Sequence, residues 1–402
     1  MSFRRVFADL HIHIGRTESG LPVKISAARN LTFHEIVREA AHRKGMDMIG
    51  IIDAHSPPVQ EEISRGLEEG IYREDPGGGI IYGGTTVILG AEIEVKGEGM
   101  GPAHLLAYFP TFASIRRFTE WLSRHVKNVQ LSTQRLHRPV RDLQDKVAEE
   151  GGLLIPAHVF TPFKSVYGSA TDRMGRLLDM DGIIAVELGL SADASMADHL
   201  YELSSVTFVT NSDAHSLGKI GREYNEFRLC RASFRELELA LRRAEGRRIS
   251  ANYGLNPKLG KYYRTRCMGC GEILSVNKGE PCPHCGGNQI VKGVSDRIAE
   301  IADGPSKTPA HRPPYVYQVP LEFIPRLGPK TLDRLLARFG TEMNVLHRAP
   351  IEEVAAVAGE TVALLIRMAR ERRLEFEEGG GGMYGKVRIP ATRDDDCKKG
   401  DR

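Results

Sequence analysis

The sequence predicts an α/β fold for roughly the first 250 residues, followed by a small metal-stabilised module and a helical segment. Three observations support this prediction. Short apolar runs alternate with amphipathic segments, four cysteines form two Cys-x-x-Cys pairs, and helix-forming residues predominate from Leu327 to Phe376. With 402 residues, of which 41% are hydrophobic and 27% charged, the chain is long enough for two or three domains and has a globular composition.

The first region alternates two kinds of segment. Seven apolar, β-branched runs are predicted strands: Arg5–Leu10, Met48–Ile52, Thr86–Ile93, His104–Phe109, Leu153–Ala157, Ile183–Leu188 and Thr207–Thr210. Five amphipathic segments are predicted helices: Thr32–Arg43, Ala113–Val126, Val140–Glu149, Met196–Leu203 and Ser233–Ala244. The first helix opens with Thr32 and Glu35 at the spacing of a capping box. Strands that alternate with helices predict a largely parallel sheet, either open or closed as a barrel.

Four of the six cysteines form two pairs with eleven residues between them, and glycines follow both pairs. The four are Cys267, Cys270, Cys282 and Cys285. Each pair can direct two thiolates at one ion, so the two pairs predict the tetrahedral site of a zinc ribbon. Since all four ligands come from the protein, this zinc is expected to be structural. Two redox dithiols are the less favoured alternative, because redox motifs seldom occur as matched pairs. Cys230 and Cys397 are expected to be free thiols.

The distribution of charge favours an anionic partner. The net charge is +3, but residues 252–348 contain 14 Lys and Arg against 8 Asp and Glu. This excess suits an anionic polymer, although a merely soluble basic surface would give the same count. No apolar run reaches the roughly 18–20 residues needed to span a bilayer, and no signal peptide is visible. We therefore expect no membrane partner and a cytoplasmic location.

Histidines and carboxylates lie at the predicted strands. In strand order they are Asp9, His11 and His13; Asp53 and His55; Glu92 and Glu94; His104; His158; Glu187; and Asp213 and His215. The carboxyl ends of parallel strands meet at one edge of a sheet, so these side chains are expected to converge. Crowded imidazoles and carboxylates are compatible when divalent metal ions bind between them. The pattern therefore predicts a metal cluster.

The predicted ligands of this cluster come from all strands except the sixth. They are His11, His13, Asp53, His55, Glu92, His104, His158, Asp213 and His215. Asp213, His215 and His158 are the candidates for catalytic groups. Glu94 and Glu187 could either bind metal or hold a ligand by hydrogen bonding. Such a cluster can hydrolyse a phosphodiester without a serine or cysteine nucleophile.

The segment Phe323–Gly340 has the pattern of a helix-hairpin-helix motif. Gly328 is expected to allow a tight turn and Pro329 to begin a helix whose free N–H groups face a phosphate. An ordinary helical turn with a leucine core is the alternative. The predicted DNA contacts of this motif are Gly328, Lys330, Thr331 and Arg334.

A second candidate DNA contact precedes the cysteines. The segment 261–266 interleaves tyrosines with cations, and we expect Tyr263 and Arg264 to contact nucleic acid. Aromatic rings in such a segment can stack on bases. A solvated linker has the same composition, so both interpretations stay open.

The motifs at the strand ends resemble those of the PHP family of phosphoesterases. The resemblance rests on His11-Ile-His13, Asp53-Ala-His55, Gly90-Ala-Glu92, the single histidines His104 and His158, and Asp213-Ala-His215. It implies a distorted (β/α)7 barrel with a cluster of two or three divalent metal ions, Zn, Mn or Mg. The second motif departs from the family's Thr-Asp-His, which leaves Asp53 and His55 as alternative ligands.

Over nearly its whole length the chain resembles the endonuclease Q family. The resemblance adds to the PHP motifs a four-cysteine ribbon, a helical segment and a Gly-rich motif at Gly379–Gly385. It implies a DNA repair endonuclease that cuts on the 5′ side of deaminated bases (uracil, hypoxanthine, xanthine) and of abasic sites, with damaged DNA as partner. A PHP phosphatase acting on a small phosphorylated metabolite and a non-catalytic DNA-binding protein are the alternatives. No sliding-clamp motif is visible.

These interpretations divide the chain into five parts. They are a PHP domain over 1–255, a zinc ribbon with one zinc over 256–295, a Pro-rich connector over 296–322, a helical DNA-binding domain over 323–391, and a disordered tail over 392–402.

Overall fold

The computed structural model of the chain describes residues 2–275 and 280–374, together with the backbone of 376–377 and 386–387. The Gly-rich motif at Gly379–Gly385, Cys397 and the tail over 392–402 lie outside the described residues. Within the described residues, no helix is both long and apolar enough to cross a membrane.

Short strands alternate with helices along most of the chain. The strands are β1 (Arg4–Ile12), β2 (Met48–Ile51), β3 (Arg73–Glu74), β4 (Ile80–Tyr82), β5 (Thr85–Lys96), β6 (Pro102–Phe109), β7 (Leu153–Pro156), β8 (Ala185–Glu187), β9 (Thr207–Val209), β10 (Tyr224–Leu229), β11 (Arg248–Gly254), β12 (Arg266–Cys267), β13 (Ile290–Val291), β14 (Tyr315–Tyr317), β15 (Phe376–Glu377) and β16 (Lys386–Val387). The α-helices are α1 (Phe33–Arg38), α2 (Pro57–Glu68), α3 (Phe112–Ser123), α4 (Val140–Glu149), α5 (Ala194–Ala197), α6 (Phe234–Leu241), α7 (Val294–Ile301), α8 (Pro329–Phe339), α9 (Glu342–His347), α10 (Ile351–Ala358) and α11 (Glu360–Arg370).

Ten strands form one mixed sheet, so the predicted largely parallel sheet is wrong. Strands β1, β2 and β5 are parallel neighbours. On either side of them the direction reverses, because β10 is antiparallel to β1 and β6 is antiparallel to β5. The link from β5 to β6 spans only 97–101, and so short a link makes a hairpin rather than a crossover.

Backbone hydrogen bonds continue this sheet toward the remaining strands. Strands β8 and β9 form a separate parallel pair, and Val159, just after β7, donates to the carbonyl of Glu187 (2.9 Å). Beyond β9, Ala214 pairs with the end of β1, since its N–H donates to the carbonyl of His11 (3.1 Å). The ends of β1, β7, β8 and β9 are thereby brought to one region.

All seven predicted strands form, but the prediction missed α2 and five strands of the main sheet, namely β3, β4, β10, β11 and β14. Strand β10 contains Asn225 and Glu226, which weaken its apolar pattern, yet both are buried. The Pro-rich segment 296–322 contains most of α7 and all of β14, which pairs in parallel with β11. Arg312 of this segment is buried against Asp198 (2.8 Å), so the segment packs on the sheet rather than leading away from it.

Four of the five helix predictions hold with local differences, whereas the predicted helix Met196–Leu203 is wrong, because α5 ends at Ala197 and only a 3₁₀ turn over Tyr201–Leu203 follows. Helix α4 has the predicted bounds, whereas α1 ends at Arg38 and continues as a π-helical turn to Lys44. One half of the predicted capping box is present, because Thr32 Oγ1 accepts from the N–H of Glu35 (3.3 Å). The carboxylate of Glu35 instead forms an ion pair with Arg38.

The C-terminal helices dock on the main sheet. Lys44 forms a buried ion pair with Glu342 of α9 (2.9 Å), and the ring of His347 stacks on Phe7 of β1 with ring centres 4.7 Å apart. Both contacts join the helical segment to the part of the chain that carries the strand-end histidines.

Candidate metal centre

Seven of the nine predicted ligands meet in one place. Three overlapping groups have ligand atoms within 4.8 Å of one another: His11, His13 and Glu92; His13, Asp213 and His215; and Glu92, His104 and His158. They come from the end of β1, the middle of β5, the start of β6, and the segments after β7 and β9. The predicted convergence of strand ends is therefore present.

The antiparallel direction of β6 explains how His104 reaches this site. His104 lies near the start of its strand, where a parallel strand would place it at the opposite edge of the sheet. Because β6 runs antiparallel to β5, His104 lies directly opposite Glu94, and its Nδ1 is 2.9 Å from Glu92 Oε1.

Two carboxylates orient His11, near the end of β1, and His13, just after it. Nδ1 of His11 lies 2.9 Å from Glu187 Oε2, and Nδ1 of His13 lies 2.9 Å from Asp53 Oδ2. Each contact leaves the Nε2 atom of its ring turned toward the cluster, where His11 Nε2 is buried and makes no hydrogen bond. Carboxylates commonly hold metal-binding histidines in this way.

Asp53 and His55, the two alternative ligands after the second strand, make different contacts. Asp53 binds His13 and also accepts from the backbone N–H of Ile14 (2.8 Å), which makes it a support for the end of β1. His55 is buried, and its Nδ1 makes no hydrogen bond. Neither residue belongs to the three groups found among the described residues. The structure thus gives Asp53 a supporting contact, and direct ligation by either residue stays a prediction.

The electrostatics of the cluster favour a cation. Burial would raise the pKa of Glu92, but His104 and Lys24 hold that pKa well below its ordinary value. Burial would likewise raise the pKa of Asp213, which His11 keeps well below the ordinary range. Both carboxylates are therefore ionised. With two ionised carboxylates and an unpartnered buried imidazole nitrogen, the donor set fits divalent metal ions.

Two residues of the cluster have unusual backbone conformations. His158 and Asp213 have φ angles of 31° and 47°, in the left-handed region that side chains other than glycine rarely adopt. The N–H of His158 donates to Glu187 Oε1 (3.1 Å), so one carboxylate supports both His11 and His158. Strained conformations of this kind cost free energy and concentrate at functional sites.

A cavity of about 500 Å³ opens over the cluster. Several side chains that were not among the predicted site residues line this cavity: Lys24, Lys164, Lys219, Arg222, Phe163, Lys261 and Tyr262. Lys261 and Tyr262 come from the predicted aromatic and basic segment, whereas Tyr263 and Arg264 do not line the cavity. Arg264 instead lies near Asp296 (3.4 Å). The excess of cations suits a phosphate group.

The four paired cysteines also meet. The Sγ atoms of Cys267 and Cys285 are 3.6 Å apart, as are those of Cys270 and Cys282. A zinc ion with Zn–S bonds of about 2.3 Å would separate its tetrahedral sulfurs by about 3.8 Å, so the cluster fits the predicted zinc ribbon. Gly271 and Gly286, which follow the two pairs, have φ angles of 78° and 70°, a conformation that favours glycine.

The structure of the segment Phe323–Gly340 differs in detail from the predicted helix-hairpin-helix motif. Helix α8 begins at Pro329 as predicted, but Gly328 is extended with a φ of −79°, and the left-handed residue of the turn is Arg326 (φ 67°). The expected role of Gly328 in a tight turn is therefore wrong. A short 3₁₀ turn over Leu321–Phe323, not an α-helix, precedes the turn. Lys330 and Arg334 are exposed, and Thr331 Oγ1 accepts from Arg334 (3.3 Å).

Comparison with known proteins gives a match over nearly the whole chain and a partial match. No protein-family model matches the chain. The chain is 50% identical to uncharacterized protein YqxK of Bacillus subtilis (strain 168) over 387 residues, which cover 96% of this chain and 100% of YqxK. It is 36% identical over 252 residues to uncharacterized protein MJ0043 of Methanocaldococcus jannaschii, covering 57% of this chain and 31% of MJ0043.

Two solved structures are similar over almost the whole chain. The crystal structure of the lesion-specific endonuclease PfuEndoQ from Pyrococcus furiosus superimposes with a TM-score of 0.83 and 34% identity, covering 98% of each chain. The structure of endonuclease Q in complex with a 27-mer duplex substrate, with an abasic lesion at the active site, also gives a TM-score of 0.83. Its identity is 33%, over 98% of this chain and 100% of that one.

Proposed function

Since this chain belongs to the endonuclease Q family, we propose that it is a metal-dependent DNA repair endonuclease that hydrolyses the phosphodiester 5′ to a damaged nucleotide. The proposed lesions are the deaminated bases uracil, hypoxanthine and xanthine, and the abasic site. The observation that carries this proposal is the convergence of seven histidines and carboxylates beneath a cavity lined by cations.

The side chains of the cluster would hold two or three divalent ions, Zn, Mn or Mg, and the four cysteines one structural zinc. Bound ions of this kind polarise a phosphodiester and activate a water molecule. The supporting residues keep the ligands in place: Glu187 orients His11 and His158, and Asp53 orients His13. Asp213 and His215 lie beside His13 at the open side of the cluster, which suits them to contact the scissile phosphate.

The lysines around the cavity would attract and position the DNA backbone. Lys24 approaches Glu92 (3.0 Å), and Lys164 approaches Glu94 (3.1 Å), so both ammonium groups lie beside the carboxylates of β5. Parts of the duplex outside the cluster would be held by the residues of the predicted hairpin, Gly328, Lys330, Thr331 and Arg334. Beside the ribbon, the duplex would be contacted by Tyr263 and Arg264. Such contacts position the backbone without reading sequence.

The test is an assay on end-labelled duplexes that differ at one position. They carry uracil, hypoxanthine, xanthine, an abasic site or no lesion, with Mg²⁺ or Mn²⁺, and a parallel arm measures phosphate release from histidinol phosphate. We expect cuts only in the lesion duplexes, immediately 5′ to the lesion. Phosphate release without cutting would favour a phosphatase, and lesion-independent binding without either reaction would favour a non-catalytic protein.

A further inference from the structure

One apolar side chain beside the cluster is unusually exposed. Ile25 is 79% exposed, the highest value among the large hydrophobic side chains of the described chain. Single exposed hydrophobic residues are common on protein surfaces, so exposure alone assigns no role to Ile25. Its surroundings give the further information.

Ile25 lies at the apex of a tight turn. The N–H of Ala27 donates to the carbonyl of Lys24 (3.0 Å), which places Ile25 and Ser26 at the two central positions of a four-residue turn. Before the turn, the N–H of Lys24 donates to the carbonyl of Ile14, two residues after β1 (2.9 Å). After the turn, the N–H of Ala28 donates to the carbonyl of His215 (2.8 Å). Both sides of the turn are therefore tied to the segments that carry cluster residues.

The turn is also tied to the cluster through a side chain. Lys24 Nζ lies 3.0 Å from Glu92 Oε2 and 2.6 Å from Thr133 Oγ1. Lys24 lines the cavity and Ile25 is the next residue in the chain, so the turn that carries Ile25 begins at a residue of the cavity wall. Movement of this turn away from an approaching duplex would break the hydrogen bonds that Lys24 and Ala28 make to the segments of the cluster.

A second exposed apolar residue, Phe163, differs from Ile25 in its contacts. It is 52% exposed and lines the cavity, and its ring packs edge-on against Tyr262 with ring centres 5.7 Å apart. Phe163 is therefore placed to contact whatever enters the cavity. Ile25 is not among the residues that line the cavity, which suits it to contact DNA outside the cavity rather than a nucleotide within it.

An enzyme that takes a nucleotide out of a duplex leaves a gap in the base stack. Proteins that distort DNA often fill such a gap with an apolar side chain such as Ile, Leu, Met or Phe. We propose that Ile25 is this side chain, entering the stack where the damaged nucleotide leaves it. The inference rests on the proposed function, because it assumes that a nucleotide of a duplex enters the cavity over the cluster.

The experiment compares Ile25→Ala with wild type on the same uracil-containing strand, single-stranded and in a duplex. We expect the substitution to lower the single-turnover cutting rate on the duplex about tenfold or more, since unstacking costs a few kcal/mol, and to leave the single-strand rate nearly unchanged. Ile25→Met should restore most of the duplex rate. Ile71→Ala is the matched control, because Ile71 is also an exposed isoleucine (44%). It follows the far end of α2, a helix of 12 residues that begins just after His55 and is about 18 Å long.

A second measurement does not depend on cutting. With Ca²⁺ in place of Mg²⁺ and 2-aminopurine opposite the lesion, wild type should raise the fluorescence and Ile25→Ala should raise it markedly less. Equal fluorescence for the two proteins, or equal rate losses on duplex and single strand, would overturn the role of Ile25. A fluorescence difference without cutting by wild type would instead refute the proposed function and leave the role of Ile25 standing.

Discussion

The two candidate metal sites of this chain are built in opposite ways. The cluster of the main sheet draws its seven residues from His11 to His215, and they lie among strands with extensive hydrophobic cores on both faces. The ribbon draws its four cysteines from within Cys267–Cys285, and the buried core found there among the described residues consists of Cys267, Leu274 and Cys282. We therefore expect the sheet to hold the cluster in position without metal, and the ribbon, with its small core, to need metal in order to fold.

The largest expected effect is at the cluster. Asp213→Asn removes a charged group that lies 3.4 Å from His11 Nε2 and 3.5 Å from His13 Nε2. We expect the cutting rate to fall by more than the roughly 100-fold limit typical of residues that only orient a ligand, with DNA affinity largely retained. Single-turnover rates, together with metal content by elemental analysis, check this expectation.

Asp145→Asn is the control for charge loss, since Asp145 is an exposed residue of α4. A wild-type rate for Asp213→Asn, at full metal content, would remove Asp213 from the site.

The ribbon should respond by unfolding locally. In the double variant Cys267→Ser, Cys270→Ser we expect loss of about one zinc per chain and of ribbon structure, because metal binding supplies the folding free energy of such small sites. The sheet should keep its thermal transition, while cutting of lesion duplexes falls through weaker DNA binding. Elemental analysis and circular dichroism measure the two effects.

Cys230→Ser is the matched control, because Cys230 lies outside the four-thiolate group. Unchanged zinc content and structure in the double variant would show that these thiols do not hold the ion.

A smaller effect is expected from the carboxylate that supports the cluster. Glu187→Gln keeps the shape of the side chain but weakens its bonds to His11 and His158, so we expect a loss of about 10–100-fold in activity or metal affinity. The loss in activity should diminish at high metal concentration if orientation of the ligands is the cause. Glu202→Gln is the control, since Glu202 also accepts structural hydrogen bonds, from Tyr167 and Met174. Equal losses in both variants would indicate a general packing effect.

The smallest expected effect is a pH dependence of stability in the metal-free form of the cluster. Burial would lower the pKa of His11, but Glu187 and Asp213 raise that pKa to about 10 in the metal-free protein. In the unfolded chain the pKa is about 6.5, so the charged imidazole stabilises the fold fully below pH 6.5. This stabilisation is lost as the pH rises through about 10.

Chelator-treated wild type should therefore lose more thermal stability between pH 7 and pH 10 than chelator-treated His11→Gln. The Tm difference should be roughly 2–4 °C for each kcal/mol lost. The thermal stability of the metal-loaded protein should depend little on pH over this range, because the metal replaces the proton on His11. Parallel profiles for the two chelator-treated proteins would contradict the raised pKa.

Much of the site followed from local sequence. The His-x-His pair, the single histidines and Asp213-Ala-His215 lie at strand positions that hydrophobic runs reveal, and seven of nine predicted ligands meet. The distinct role of Asp53 did not follow, because its contact with His13 joins positions 40 residues apart. Lys24, Lys164 and Lys219 line the cavity but carried no local signal, since lysines occur throughout the chain.

The sequence by itself determined the features that short stretches of chain can build. These are the seven predicted strands, the four-thiolate ribbon within 19 residues (Cys267 to Cys285), and the start of α8 at Pro329. Only the tertiary structure decided the mixed direction of the sheet, the support of His11 by Glu187, and the left-handed backbone of His158 and Asp213. The physical reason is that these features depend on which strands become neighbours and in which register. The free energy of that choice comes from packing over the whole core and is not present in any short segment.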